Sequence, residues 1–90
     1  MRIEFDQSKR DGTLEARGLD MAAAAEVFDG PHMTVEDDRA DYGETRLITI
    51  GFMSGRMVVL AWTERGDARR IISMRKANDR EQKAYGPRFE

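Results

Sequence analysis

The 90-residue chain has no cysteine, a single histidine and no apolar run near the roughly 18 residues of a membrane span. Lack of cysteine excludes disulfides, thiolate nucleophiles and thiolate-ligated metals together. The lone His32 has no second imidazole to join, and Asp37-Asp38-x-x-Asp41 lacks the glycine and distal glutamate of a calcium loop. No metal site and no cofactor are therefore expected. His32, beside Pro31 at the start of a strand, reads as a structural residue before a catalytic base. Ser8, Ser54 and Ser73 lack the flanking glycines of a nucleophile elbow, and no glycines form a phosphate-cradling loop at a strand–helix junction. The start, Met1-Arg2-Ile3-Glu4-Phe5, is too short and too charged for a signal peptide, so a cytoplasmic protein without a membrane partner is expected.

What is present is 40% hydrophobic and 36% charged, a balance that suits a globular fold and argues against disorder. A chain this short closes one core and shields only about 60–65% of its unfolded surface, so a covering partner would help it. The expected organisation is one domain over residues 1–85 followed by a tail over 86–90. The net charge of −2 averages two unlike halves: residues 1–45 carry 5 Lys/Arg against 12 Asp/Glu, and residues 46–90 carry 10 against 5. One face can attract phosphate and the other a basic partner; two solvated faces with no ligand are the bland alternative.

Hydrophobic spacing predicts the order β-α-α-β-β-β-β-α, an α+β fold with an antiparallel sheet packed by helices. Ile3 and Phe5 alternate as a short edge strand, Asp6 caps a first helix over Gln7 to Arg17, and Gly18 ends it. That helix has little apolar stripe beyond Leu14 and Ala16, so it depends on tertiary contacts. Asp20 caps a second helix through Phe28, with Met21, Ala24, Ala25 and Phe28 on one face. Met33 and Val35 mark a short strand, Asp37 to Gly43 a polar loop, and Arg46 to Phe52 and Met57 to Thr63 two strands joined at Met53-Ser54-Gly55. A second hairpin follows at Glu64-Arg65-Gly66-Asp67. Met57-Val58-Val59-Leu60-Ala61-Trp62 is apolar on both faces, so both must be partly covered. Asn78-x-x-Glu81 reads as a capping box for a last helix to Tyr85, which leaves Arg75 and Lys76 on the link from strand to helix.

With metal sites and nucleophile motifs excluded, the remaining chemistry is RNA cleavage in which the ribose 2′-OH attacks the adjacent phosphorus. The protein then needs to move protons and stabilise phosphate charge, and arginine suits the second task because its fork meets two phosphate oxygens and stays charged. Arg70 within the last strand, Arg75 and Lys76 beyond it and Arg46 on a neighbour are the candidate cations. Strict alternation puts Arg70 and Arg75 on opposite faces, so a bulge or the strand end must reunite them. Each candidate has a structural alternative: Arg70 pairing with Glu44 or Glu64, Lys76 solvated, Tyr85 packing the last helix, Glu44 positioning Arg46 in place of accepting a proton. Ser73 bonding backbone and Trp62 in the core are the simplest readings of those two residues.

Residues 3 to 85 carry Asp6-x-x-Lys9, Val27-Phe28-Asp29, Gly43-Glu44-x-Arg46, Gly51, Arg70-Ile71-Ile72-Ser73, Arg75-Lys76-Ala77, Glu81 and Tyr85 in that order. This pattern resembles the BrnT family of bacterial ribonuclease toxins. The resemblance implies a RelE-like microbial ribonuclease fold, metal-independent RNA cleavage that inhibits translation, and a cognate BrnA-like antitoxin with a ribbon-helix-helix part, through which alone operator DNA is bound. It points to Arg70, Arg75 and Lys76, with Arg46, Glu44 and Tyr85 behind them. The chain departs from the family pattern in the first helix, with Gln7 for proline, Thr13 for asparagine, Ala16 for lysine and Arg17 for histidine. A module of the same fold that keeps antitoxin binding with weakened or absent cleavage is the alternative, and a solitary RNA-binding domain is a third reading.

Overall fold

The computed structural model describes residues 1–89. Strand β1 (Arg2–Phe5) leads into helix α1 (Gln7–Arg17), then a 3-10 turn (Met21–Ala23), helix α2 (Ala25–Asp29), strands β2 (Met33–Asp37), β3 (Arg46–Met53), β4 (Arg56–Arg65) and β5 (Ala68–Lys76), helix α3 (Asp79–Tyr85) and a final 3-10 turn (Gly86–Phe89). The sheet order is β1-β5-β4-β3-β2, with β1 parallel to β5 and every other pair antiparallel. This is the expected α+β arrangement in the expected order.

Local chemistry explains most boundaries. Asp6 accepts the Lys9 amide at 3.0 Å and starts α1; Gly18 ends it at φ 70°, a left-handed turn that glycine takes without Cβ strain. The β3–β4 turn places Ser54 and Gly55 at φ 51° and 79°, two left-handed residues whose twist matches that of the strands. Asn78 and Glu81 form the reciprocal capping box that opens α3.

The two faces of the sheet are covered unequally. Leu19, Met21, Ala24, Val27 and Phe28 from the helical layer pack on Val58, Leu60, Trp62, Ile71 and Met74 to form the main core. Trp62 extends its indole N–H to Thr49 Oγ1 at 2.7 Å, so its one polar atom is satisfied inside that core. A Cβ on Gly51 would come within 2.7 Å of Val27 Cγ1 and 3.3 Å of the Pro31 carbonyl; the bare backbone lets α2 close on β3. On the opposite face Ile50, Met57, Val59 and Ala77 form a smaller cluster with Ile48, Phe52, Tyr85 and Phe89 around it.

Three expectations need correction and one, on α1, is met in an unexpected way. The second helix is divided into a 3-10 turn and a five-residue α2, because Asp20 satisfies the Ala22 amide and tightens the first turn. Helix α1 depends on tertiary contacts as expected, but polar ones: it has no buried residue and lies beside β5, held by Arg10 forked onto Asp20 at 2.8 and 2.9 Å and by Arg17 donating to the Met74 carbonyl at 2.8 Å. Those bonds do for α1 what an apolar stripe does for an ordinary amphipathic helix. Arg75 and Lys76 lie inside β5, paired with Val59 and Val58, because β4 is long enough to continue the ladder past the expected strand end. Of the expected tail, Gly86–Phe89 wind into a turn that lays Phe89 edge-on to Phe52 at 5.1 Å between centroids; residue 90 falls outside the described residues.

Candidate active site

The arrangement of the cations depends on one irregularity in β5. Trp62 pairs with Ile71 while Ala61 pairs with Ser73, so Ile72 is an extra residue opposite the ladder. A bulge of this kind reverses the alternation beyond it. Ile71 and Met74, three residues apart, consequently both enter the main core. Arg70 and Arg75, five residues apart, consequently share the opposite face, which α3 covers only in part.

On that face Arg70 pairs in register with Thr63 of β4 and Glu4 of β1, and its guanidinium stands 3.6 Å from the Glu4 carboxylate. The partner is Glu4; neither Glu44 nor Glu64 fills that role. Arg75 is forked onto Glu81 of α3 at 2.7 and 2.8 Å. Glu81 Oε1 also accepts the Asn78 amide at 2.9 Å, so one carboxylate caps α3 and orients Arg75. The Arg75 bonds hold the Glu81 carboxyl down to about 2, against a usual 4.5. Glu81 in turn raises the Arg75 pKa, while burial and the nearby positive charge of Arg39 act against it. Tyr85 packs at the edge of the smaller cluster and, with Ser73, Arg75, Glu81, Asp37 and Arg39, lines a groove of about 350 Å³.

Arg46 occupies the same face on β3. Its guanidinium lies 4.0 Å from the centroid of the Tyr42 ring, and its Nε is buried with no hydrogen-bond partner. Tyr42 donates its hydroxyl to Asp37 Oδ2 at 3.3 Å, and Arg39 forks onto the same carboxylate at 2.7 and 2.9 Å. The Asp37 side chain is only 2% exposed, and the Arg39 bonds lower its pKa to about 2. The expected polar loop is therefore a structured cover: Arg39 fixes Asp37, Asp37 holds Tyr42, and Tyr42 lies over Arg46. The expectation of a plain polar loop does not include this chain of contacts, although Asp37-x-Arg39-x-x-Tyr42-x-x-x-Arg46 spaces an acid, cations and an aromatic through it.

Two candidates stand apart from the others. Lys76 pairs with Val58, a residue of the main core, so it belongs to the helix-covered side, separated from Arg75 by the sheet. Glu44 pairs with Arg65 at 3.3 Å and does not position Arg46. Arg17, at the position where the family pattern has histidine, bonds the Met74 carbonyl and lines a second cleft of about 520 Å³ with Lys9, Arg46, Ile72 and Ser73. His32 bonds the Gly30 carbonyl through Nδ1 at 2.8 Å and takes a structural place beside Phe28. Among the described residues no three His, Asp, Glu or Cys side chains come together as a metal-binding group, and no helix is long and apolar enough to cross a membrane.

No curated protein matches the chain. A family model described as the ribonuclease toxin, BrnT, of a type II toxin–antitoxin system matches residues 5–81.

Proposed function

Since the chain belongs to the BrnT family of type II ribonuclease toxins, we propose that it cleaves RNA without a metal ion, that this cleavage inhibits translation, and that a cognate antitoxin neutralises it. In this reading the ribose 2′-OH is the nucleophile: its proton passes to solvent water as its oxygen bonds to phosphorus, and the bond from phosphorus to the 5′-oxygen breaks. Arg46, Arg70 and Arg75 stabilise the charge that builds on the phosphate, and Tyr85, on the groove beside Arg75, protonates the leaving 5′-oxygen. Glu81 is a positioning residue for Arg75. Lys76, on the far side of the sheet, and Glu44, paired with Arg65, are given no part in the reaction. The observation that carries the proposal is the bulge at Ile72, which gives Arg70 and Arg75 a common face.

Purified protein is expected to cut RNA in excess EDTA and leave 2′,3′-cyclic phosphate or 3′-phosphate ends. Loss of cleavage in EDTA with rescue by added metal would overturn the metal-independent mechanism. A cell-free translation reaction should stall on its addition and recover when the adjacent gene product, expected to be a short basic chain with a ribbon-helix-helix part, is supplied. If that product neither binds nor protects, the antitoxin assignment fails.

One observation favours the alternative of a binding module with weakened cleavage. Arg17, at the position where the resemblance implies histidine, is tied to the Met74 carbonyl, and a guanidinium offers charge and donors in place of an imidazole's proton transfer. Antitoxin binding with no RNA cleavage would select that reading. Arg17→His gaining cleavage with a pH dependence between about 5 and 8 would assign proton transfer to this position.

A further inference from the structure

Lys9 and Arg17 of α1, Arg46 of β3 and Ser73 of β5 line a single cleft, and no carboxylate lines it with them. The three cations are 8 and 29 residues apart in sequence (9 to 17, 17 to 46), so only the fold gathers them. None has a carboxylate within ion-pair distance among the described residues, whereas Arg10, Arg39, Arg65, Arg70 and Arg75 each do. Like charges held together without a counter-ion repel, and their gathering is favourable once an anion enters between them. The small residues that α1 turns toward β5, Gly12, Thr13 and Ala16, leave the space open. Arg46 adds an orphaned buried Nε beneath the Tyr42 ring, a guanidinium held in orientation and incompletely bonded.

We infer that this cleft is a subsite for a backbone phosphate of the RNA chain, next to the groove that holds Arg75. Ser73 lines both the cleft and that groove, so a strand whose reacting phosphate lies between Arg75 and Arg46 runs over Ser73 and sets its neighbouring phosphate against Lys9 and Arg17. The inference takes its ligand from the ribonuclease reading, but its geometry is separate. A phosphate contact of this kind strengthens binding without regard to base identity and makes it salt-dependent.

The test measures binding of a short 2′-O-methyl oligoribonucleotide by fluorescence anisotropy across a salt series. This probe lacks the attacking hydroxyl, so binding is read apart from cleavage. Lys9→Gln carries the decision, because the Lys9 side chain makes no bond in the fold among the described residues. It should weaken binding and reduce the slope of log affinity against log salt by about 0.7, the value for one phosphate contact on a single strand. Arg17→Gln should act in the same direction, with its melting temperature followed because it also loses the bond to Met74. Lys83→Gln on α3, outside the cleft, should leave affinity and slope unchanged. Unchanged affinity and slope in Lys9→Gln, or no binding by the parent protein, would overturn the subsite. Cleavage of unmodified RNA is measured in parallel. Cleavage with Lys9→Gln binding unaltered removes the subsite and keeps the ribonuclease; Lys9-dependent binding in a protein that does not cleave keeps the subsite and removes the ribonuclease.

Discussion

The two faces of the sheet are built for different purposes. The apolar cluster on the helical face holds eleven buried residues, with Val58, Leu60 and Met74 fully buried; the cluster on the other holds four, and that face also carries Glu4, Asp37, Arg46, Arg70 and Arg75. A sheet anchored from one side can tolerate polar expense on the other. An arginine Nε buried with no partner forgoes hydrogen-bond energy, which a small domain sustains only where the rest of the fold supplies stability. The same division separates two kinds of arginine. Arg75 and Arg70 have carboxylates to orient them, while Arg46 is held by an aromatic ring and has no counter-ion.

The largest effect should come from the adjacent pair Leu60 and Val59, which point to opposite faces. Leu60→Ala removes a fully buried side chain from the main core and should cost about 2–5 kcal/mol by chemical denaturation. Val59→Ala on the thinner face should cost less, roughly 1–2 kcal/mol at about 0.8 per methyl-sized group lost. Equal losses would break the distinction between the faces.

Arg46→Ala should reverse that relation between stability and activity. Removing a preorganised donor from the phosphate site should slow RNA cleavage by about 10²–10³-fold. Stability should fall by only about 0.5–1 kcal/mol, the loss of the contact with the Tyr42 ring, since no hydrogen bond of Arg46 Nε is lost. A large drop in melting temperature with cleavage intact would make Arg46 a structural residue and remove it from the site.

Acid should expose the carboxylates of the polar face next. Asp37 and Glu81 both titrate near 2 in the fold, below usual values of 3.8 and 4.5, because Arg39 and Arg75 bond their ionised forms. Depressed folded-state values mean that their stabilisation is complete above the unfolded values and is lost as pH falls from about 4.5 toward 2. The melting temperature should decline through that window, and Glu81→Gln should make the decline shallower while lowering stability at neutral pH, where the Arg75 pair is lost. An identical acid profile in the variant would show that the Arg75–Glu81 pair contributes nothing to the polar face.

The smallest effect tests the cover over Arg46. Tyr42→Phe loses the 3.3 Å bond to Asp37 but keeps the ring, so stability should fall by no more than about 1 kcal/mol and cleavage should be nearly retained. Tyr42→Ala removes the ring itself and should slow cleavage clearly more. Equal behaviour of the two variants would mean that the ring does not position Arg46.

How far the sequence could be read differs between these regions for physical reasons. Alternation and turn chemistry are local, so the strands, the Asp6 and Asn78 caps and the Gly18 stop were legible from neighbouring residues. The division of the second helix was not, because the apolar spacing of Met21, Ala24, Ala25 and Phe28 suits either one helix or a 3-10 turn followed by a short one. At the candidate site the residue types were legible and their partners were not. Glu4, Glu81 and Arg65 lie 66, 6 and 21 residues from the groups they bond, and no local rule selects among so many acids and cations.

From sequence alone came the α+β order, the absence of thiol chemistry and the arginine-rich last strand, each fixed by composition or by contacts within a few residues. Only the tertiary structure decided that β1 lies parallel to β5, that Ile72 bulges and that Lys76 faces away from Arg75. The reason is the two-residue period of a strand: one extra residue, chosen by how β5 packs against β4 and the core, changes the face of every side chain beyond it.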